Sequence, residues 1–309
     1  MVQPANLGRN AYSTGGYFLQ CGMVYKIMNH NITKAVIALA GYGTRRLPIT
    51  KAVEKCMMPV ENRPIIDYIV DDCIKAGITD IIFVVGEQSD QIRTYYGKNE
   101  MLEAYLAENN KVEALQEVTR LRTKARFQFI VQDHLQPYGT SIPVWLAKDC
   151  IGPGESFVFL YGDNIHHTTD GSSVVKYFLQ EATDAGKPSA MLVAPVPREL
   201  VSRYGIVETT SRDGVEIYEK TIEKPRPEET TSDLNNAGCF LLSDDIFPFV
   251  ERSITHSPQS ESFIIDAVNW YSQAGNDVLV VRSKGEYLDC GSVDGWLQAN
   301  NRIVRTIKA

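Results

Sequence analysis

Short apolar runs recur along the chain, and segments with helical spacing lie between them. The runs fall at residues 35–39, 81–85, 127–131, 157–161 and 190–196, and each is long enough for one buried strand. Between the first two runs, apolar pairs at helical spacing begin after Pro64 and stop at Gly77. A strand–helix–strand order predicts parallel strands joined by right-handed crossovers. The pattern therefore predicts an α/β fold with a mostly parallel, mixed central sheet.

The rest of the chain adds shorter elements of both kinds. The pattern predicts a short helix at 88–96, strands at 239–242 and 278–281, and helices at 261–274 and 293–307. Residues 99–122 are helical in pattern and highly charged, which is typical of a solvated surface helix pair. Residues 1–33 are rich in Gly, Asn, Gln and Tyr and lack the apolar core of a signal peptide. We expect them to be a mobile N-terminal extension and expect residues 34–309 to form the folded domain.

Composition narrows the class of protein. With 309 residues, 44% hydrophobic and 22% charged, the chain can bury a sizeable core. Its net charge of −7 argues against a general nucleic-acid binder. The six cysteines form no C-x-x-C pair, which favours reduced thiols in the cytoplasm. No apolar run is long enough to span a bilayer, so we expect no membrane association.

The loop after the first strand gathers small residues and cations. Gly41 and Gly43 allow the backbone to turn tightly and to approach a ligand closely. Four cations follow within a few residues, at Arg45, Arg46, Lys51 and Lys55. Backbone N–H groups and cations together suit a polyphosphate, although a strand turn with a solvated basic loop is the plain alternative. Neither G-x-x-x-x-G-K-[ST] nor G-x-G-x-x-G occurs here.

The same segment resembles the signature of the sugar-1-phosphate nucleotidyltransferases. The match has three parts, namely Ala40-Gly41-x-Gly43-Thr44-Arg45, Pro48-x-Thr50-Lys51 and Lys55-x-Met57-Met58-Pro59. Later elements match in the same order over roughly residues 34 to 305. The resemblance implies a Rossmann-like three-layer α/β/α nucleotidyltransferase fold with a catalytic domain at 34–309.

The resemblance also implies a nucleotide site. Its expected members are Leu39, Ala40, Gly41, Gly43, Thr44, Gln132, Pro137 and Gly139. A glutamine side chain both donates and accepts hydrogen bonds, which matches the adjacent N–H and C=O of uracil. Gly139 would let the backbone approach the base, but an ordinary turn before a helix explains the same residues. The charged 99–122 segment is similar to that of uridylyl-transferring members, which favours UTP over dTTP by analogy.

Two aspartates are the expected metal ligands. Asp163 follows the fourth apolar run, where open α/β sheets bind ligands, and the resemblance assigns Mg²⁺ to it and to Asp289. The alternative for Asp163 is a cap on a helix near residues 168–171. The adjacent His166 and His167 invite a zinc interpretation, but we expect them to be solvated loop residues.

The sugar phosphate has its own predicted residues. Resemblance assigns Gly205, Glu223, Lys224 and Asn236 to it, with Glu223 accepting hydrogen bonds from sugar hydroxyls and Lys224 holding the phosphate. A Glu–Lys pair on a strand is more often a surface ion pair, so the motif context decides this interpretation.

The reaction implied is transfer of a uridylyl group from UTP to a sugar-1-phosphate, expected to be glucose-1-phosphate, with Arg45, Lys55 and Lys224 as catalytic residues. The alternatives are a thymidylyltransferase using dTTP, a nucleotide-sugar-dependent glycosyltransferase, and a non-catalytic nucleotide-binding regulator. The last is motivated by Cys56, which stands where the family commonly has Glu. Family members are commonly oligomers, so we expect a homodimer or homotetramer.

Overall fold

The computed structural model describes residues 18–20, 23–25, 32–133, 137–256 and 260–308. The chain divides into two compact units, Met1–Asn31 and Ile32–Ala309. In the first unit, two short strands pair antiparallel, with Phe18 opposite Tyr25. The expected mobility of the N-terminal extension lies outside the described residues and stays a prediction.

Strands and helices are interspersed along the described chain, and the first two strands belong to the first unit. In chain order the strands are β1 (Phe18–Gln20), β2 (Met23–Tyr25), β3 (Lys34–Ala38), β4 (Pro59–Val60), β5 (Arg63–Pro64), β6 (Asp80–Gly86), β7 (Arg126–Gln132), β8 (Ser156–Tyr161), β9 (Asn164–His167), β10 (Ala190–Pro195), β11 (Gly205–Arg212), β12 (Val215–Glu223), β13 (Leu234–Ser243), β14 (Leu279–Arg282) and β15 (Glu286–Asp289). The helices are α1 (Ile65–Lys75), α2 (Asp90–Tyr96), α3 (Glu100–Glu108), α4 (Val112–Thr119), α5 (Ser141–Leu146), α6 (Val174–Asp184), α7 (Phe247–His256), α8 (Ile264–Gln273) and α9 (Val293–Lys308).

One sheet of nine strands organises the described part of the second unit, in the order β10-β14-β12-β11-β13-β8-β3-β6-β7. The strands β8, β3, β6 and β7 run parallel, which confirms the βαβ prediction for the first half of the chain. Beyond β8 the pairings are antiparallel except between β10 and β14. The mixed sheet is confirmed, with more antiparallel pairing than the pattern predicted.

Alternate residues of the strands enter two separate cores. Ala35 and Ile37 join the cluster that contains α1 and α6, while Val36 joins the cluster on the opposite face with α7 and α8. Each fully buried aliphatic or aromatic side chain contributes about 1.5–3 kcal/mol of burial free energy. Helices therefore cover both faces of the sheet, and the three-layer α/β/α architecture is confirmed.

The charged insertion forms the expected helix pair, α3 and α4, and ion pairs attach it to the rest of the fold. Arg120 follows α4 and reaches Asp67 at 2.7 Å and Asp71 at 2.8 Å, both on α1. Arg122 binds both carboxylate oxygens of Glu103 at 2.8 Å. Asp67 is 2% exposed, so this network lies in a low-dielectric region where ion pairs are poorly screened.

Candidate active site

The glycine loop closes on itself and carries Lys55 inward. Gly43 has φ 64°, in the left-handed region, and its carbonyl accepts a hydrogen bond from Thr50 Oγ1 at 2.9 Å. A Cβ on Gly43 would lie 3.0 Å from Thr50 Cγ2 and 3.2 Å from Lys55 Cβ. Glycine is therefore required for both conformation and space. Three short 3₁₀ turns, Thr44–Arg46, Ile49–Lys51 and Lys55–Met57, carry the cations.

The loop lies at the carboxyl edge of the parallel strands. The Leu39 amide donates to the Val84 carbonyl at 2.8 Å, and the Gly162 amide donates to the Ala38 carbonyl at 3.2 Å. Gln132 ends β7 at the same edge, because β6 and β7 are parallel with Gly86 opposite Gln132. Open α/β sheets bind ligands at this edge. The loop, Gln132 and Asp163 thus share one side of the sheet.

A two-stranded ladder brings the predicted aspartates together. β9 and β15 pair antiparallel, with Asn164 opposite Asp289. The Cys290 amide donates to the Asp163 carbonyl at 2.9 Å. Because this ladder immediately follows Asp163, the alternative of a helix cap at Asp163 is wrong. Helix α6 is capped instead by Ser173, whose side chain accepts from the Lys176 amide.

Two carboxylates and one guanidinium lie close together beside Gly291. The position of a Cβ built on Gly291 lies 2.7 Å from Asp289 Oδ1, 3.1 Å from Asp163 Oδ2 and 3.4 Å from Arg45 Nη2. Asp289 Oδ1 also accepts the Gly291 amide at 2.7 Å, which fixes its side chain. The two aspartates and Arg45 therefore converge, as the hypothesis of a polyphosphate site requires.

Cations keep the Asp163 carboxylate ionised. Lys55 Nζ donates to Asp163 Oδ2, and the two side chains are 21% and 16% exposed. Burial alone would raise the pKa of Asp163, but Lys55, Arg45 and Arg46 outweigh it and hold the pKa below its usual value. A carboxylate that stays ionised is available as a metal ligand.

Asp163 and Asp289 fit the chemistry of Mg²⁺. This ion is commonly held by one or two carboxylates together with substrate phosphates. No group of three or more His, Cys, Asp or Glu residues that could hold a metal occurs in the ranges that the structure describes. Any ion between the two aspartates would therefore take further oxygens from water or from a bound ligand.

The predicted base-binding turn is packed against the start of α8. The Ser262 amide donates to the Tyr138 carbonyl at 2.9 Å, and the Ser141 amide donates to the Ser262 carbonyl at 3.0 Å. Gly139 has φ 123°, and a Cβ there would meet the Ser262 backbone. The glycine thus has a packing reason independent of any ligand. Pro137 is half-buried, and residues 134–136 lie outside the described ranges.

Of the predicted sugar-phosphate residues, Gly205 and Glu223 lie on the β11–β12 hairpin, Lys224 directly follows it, and Asn236 lies on β13. Gly205 is opposite Glu223, and a Cβ on Gly205 would lie 3.0 Å from Glu223 Oε2. Lys224 has φ 47° and its Nζ lies 3.6 Å from Glu223 Oε1, with both side chains well exposed. This is the surface ion pair that the plain interpretation expected, so the roles of both residues stay predictions. Asn236 Oδ1 accepts the Gly238 amide at 2.9 Å.

Tyr161, which sequence reasoning missed, connects the two halves of the site. The side chains of Thr140 and Asn236 and the charges of Asp163 and Glu223 all act on its hydroxyl. Burial raises its pKa to about 12, so it stays a neutral phenol. Its place at the end of β8 was the only signal in the sequence.

Two expectations about neighbouring residues need correction or sharpening. His166 and His167 do not lie in a solvated loop but in the strand β9. Both ring nitrogens of His166 are buried, and burial lowers the His166 pKa to about 4. Cys56 is 3% exposed and packs in the core, and burial raises its pKa to about 12. Cys56, in place of the Glu that is common in the family, is thus a neutral and unreactive side chain beside Lys55. Lys55 still reaches Asp163.

The chain belongs to the nucleotidyl transferase family, whose pattern matches residues 34–306. With the fold and the convergent loop and aspartates, this defines an enzyme of the nucleotidyltransferase class.

Individual relatives are more specific. The UTP–glucose-1-phosphate uridylyltransferase of Streptococcus pneumoniae is 34% identical over 276 residues, covering 88% of this chain and 90% of that protein. A UTP-bound UGPase from Acinetobacter baumannii superposes with a TM-score of 0.79 at 29% identity, covering 88% of this chain and 93% of that one. A UDP-glucose pyrophosphorylase complexed with UDP-glucose gives a TM-score of 0.77 at 28% identity, covering 89% and 99%. In the described residues no helix is long and apolar enough to cross a membrane.

Proposed function

We propose that this protein transfers a uridylyl group from UTP to glucose-1-phosphate and releases pyrophosphate. The observation that carries the proposal is the convergence of Arg45, Asp163 and Asp289 on one point at the sheet edge. The family supplies the reaction class, and the relatives named for UTP and glucose-1-phosphate support the choice of substrates.

In the proposed reaction, a phosphate oxygen of glucose-1-phosphate attacks the α-phosphorus of UTP. The bond from the α-phosphorus to the oxygen bridging to the β-phosphorus breaks, and pyrophosphate leaves. Such phosphoryl-type transfers need little covalent help from the protein. Positioning and charge neutralisation supply the acceleration.

The glycine loop would hold the triphosphate. Leu39, Ala40, Gly41, Gly43 and Thr44 would supply backbone contacts, while Gln132 and the turn at Pro137 and Gly139 would meet the uracil edge. Arg45 and Lys55 would stabilise the charge that develops on departing pyrophosphate. Lys55 pairs with Asp163, so contact with pyrophosphate would require its ammonium group to share or exchange this partner.

Asp163 and Asp289 would hold Mg²⁺, which neutralises phosphate charge when bound. The proposal for this ion depends on the two carboxylate oxygens that flank one point and on the low pKa of Asp163.

Lys224 would neutralise the incoming sugar phosphate. Two anions cannot approach closely in a low-dielectric site without such a cation. The Lys224 amide donates to the Tyr204 carbonyl at 2.9 Å, and the Tyr204 ring packs edge-on to Tyr287 at 6.5 Å. Tyr287 is two residues from Asp289, so these contacts connect the hairpin to the aspartate pair. Glu223, Gly205 and Asn236 would contact the sugar.

The test is a panel of UTP and dTTP against several sugar-1-phosphates, with pyrophosphate release measured by a coupled pyrophosphatase assay. We expect turnover with UTP and glucose-1-phosphate, and slower turnover with dTTP. Tight UTP binding with no product would favour a regulator, and sugar transfer from UDP-glucose to an acceptor would favour a glycosyltransferase. Either result would contradict the proposal.

Two variants test the assigned roles. We expect Lys224→Ala and Asp163→Ala each to lower turnover at least ~100-fold, because each removes a charge partner of the transition state. Lys220 is an exposed lysine on β12, the strand that immediately precedes Lys224, so Lys220→Ala is the matched control and should stay within about twofold. Near-normal turnover in either site variant would remove that residue from the mechanism.

A further inference from the structure

Arg46 is a cation in the interior of the glycine loop. Its side chain is 1% exposed, whereas the neighbouring Arg45 is exposed. Its Nη1 donates to the Lys55 carbonyl at 3.3 Å. Its Nε and Nη2 are buried and have no hydrogen-bond partner among the described residues. A buried guanidinium with two unused donors lowers stability, so packing alone does not account for it.

The groups that face Arg46 are those of the candidate site. The carboxylates of Asp163 and Asp289 and the neighbouring guanidinium of Arg45 act electrostatically on its guanidinium. The carbonyl that Arg46 holds belongs to Lys55, the first residue of the turn from which Lys55 reaches Asp163. Arg46 therefore supports the turn that carries Lys55, and its charge acts on the aspartate pair.

We propose that Arg46 is a positioning residue that acts as a built-in cation of this site: it fixes the Lys55 turn and presents a permanent positive charge to Asp163 and Asp289. The inference rests on the proposed binding of UTP and a divalent cation, and extends it to a residue with no direct role in the chemistry. Because the guanidinium is shielded from water, salt screens its charge less than that of an exposed lysine.

Removing a buried positive charge should change the affinities for a divalent cation and for a triphosphate in opposite directions. Removal of a positive charge favours a divalent cation at the aspartates and disfavours an anionic triphosphate in the loop. Removal of a merely structural side chain would weaken both ligands or neither. The two affinities, measured separately, therefore distinguish the two roles.

The experiment compares wild type, Arg46→Met and Arg46→Lys. Mn²⁺ binding is measured without nucleotide by electron paramagnetic resonance, and UTP binding is measured in EDTA by equilibrium dialysis. We expect Arg46→Met to bind Mn²⁺ at least about fivefold more tightly and UTP at least about fivefold more weakly than wild type. Arg46→Lys keeps the charge and should stay within about threefold for both. Lys124→Met removes an exposed cation next to the amino end of β7, at the opposite edge of the sheet, and serves as the control, with little effect expected.

Arg46→Met replaces a buried charge by an apolar side chain of similar length, which is commonly neutral or stabilising. Should this variant fail to fold, Arg46→Gln removes the same positive charge but keeps a polar side chain. Equal or parallel changes in the two affinities would overturn the proposal. Failure of the proposed function is a different result, since it is the absence of UTP turnover in the wild type, and neither binding measurement needs turnover.

Discussion

Gly291→Ala is a test of the convergent site that leaves every charge in place. The added methyl group would lie 2.7 Å from Asp289 Oδ1 and 3.1 Å from Asp163 Oδ2. Gly291 does not have a left-handed φ, so alanine is compatible with its backbone. Alanine also retains the amide that Asp289 Oδ1 accepts. The substitution should therefore act on the distance between the carboxylates and leave the fold intact.

The size of the effect follows from these distances. An ordinary carbon–oxygen contact requires the nearer carboxylate oxygen to withdraw by roughly 0.5–1 Å. Misplacement of a reacting group by about 1 Å can lower the rate of an enzyme about 100-fold. We therefore expect kcat of Gly291→Ala to fall between about tenfold and 100-fold. The free energy of unfolding should change by less than about 2 kcal/mol, since the one hydrogen bond that this shift weakens is that from the residue 291 amide to Asp289 Oδ1.

The assay is steady-state pyrophosphate release at saturating UTP, together with urea unfolding of the same preparation. Gly86→Ala is the control, because this glycine ends β6 at the same sheet edge and an added Cβ would meet nothing closer than Ser89 Oγ at 3.7 Å. Full activity in a folded Gly291→Ala protein would refute the inference that the carboxylates act as a close pair. Equal losses in both alanine variants would show instead that the sheet edge tolerates no added methyl group.

Three further outcomes are expected elsewhere in the fold. Burial raises the Asp72 pKa to about 6, so the folded state holds this proton more tightly than the unfolded state, and stability falls as pH rises between about 4 and 6. Asp72→Asn should therefore be more stable than wild type by about 2 kcal/mol at pH 7.5 in urea unfolding. A difference of the same size at pH 4 would contradict this reasoning. Asp67→Ala should lose about 1.5–3 kcal/mol of unfolding free energy, because Arg63 and Arg120 lose their most buried partner and keep only Asp71. An unchanged urea midpoint would show that the network contributes little. Cys56 should resist alkylation in the native protein and react once the protein is unfolded, as peptide mass spectrometry can check.

The sequence predicted most of the sheet because the parallel half consists of continuous apolar runs. The strands β3, β6, β7 and β8 begin and end within a residue or two of the predicted bounds. The elements of the antiparallel half of the sheet were harder to predict. β13 begins at Leu234, earlier than predicted, because Asn235 and Asn236 interrupt its apolar pattern. Helix α7 was not predicted at all, since its aromatic residues gave no clear helical spacing.

The loop could be predicted because its residue types and spacing are specific, whereas the contact between Asp163 and Asp289 could not be derived from local pattern. β9 has four residues and no alternation strong enough to mark a strand, so its pairing with β15 left no signal. The burial of Arg46 was equally hidden, because a cation in a basic loop is ordinarily solvated. Long-range pairing and burial are properties of the assembled core.

The ladder between β9 and β15 also sets an order of events during synthesis. The glycine loop and Asp163 leave the ribosome before β15, the strand that carries Asp289. A nascent chain that still lacks β15 has the cradle for phosphate and only half of the aspartate pair. The protein therefore acquires both aspartates of the candidate site only after β15 has been translated, and a chain cut short before this strand would lack Asp289.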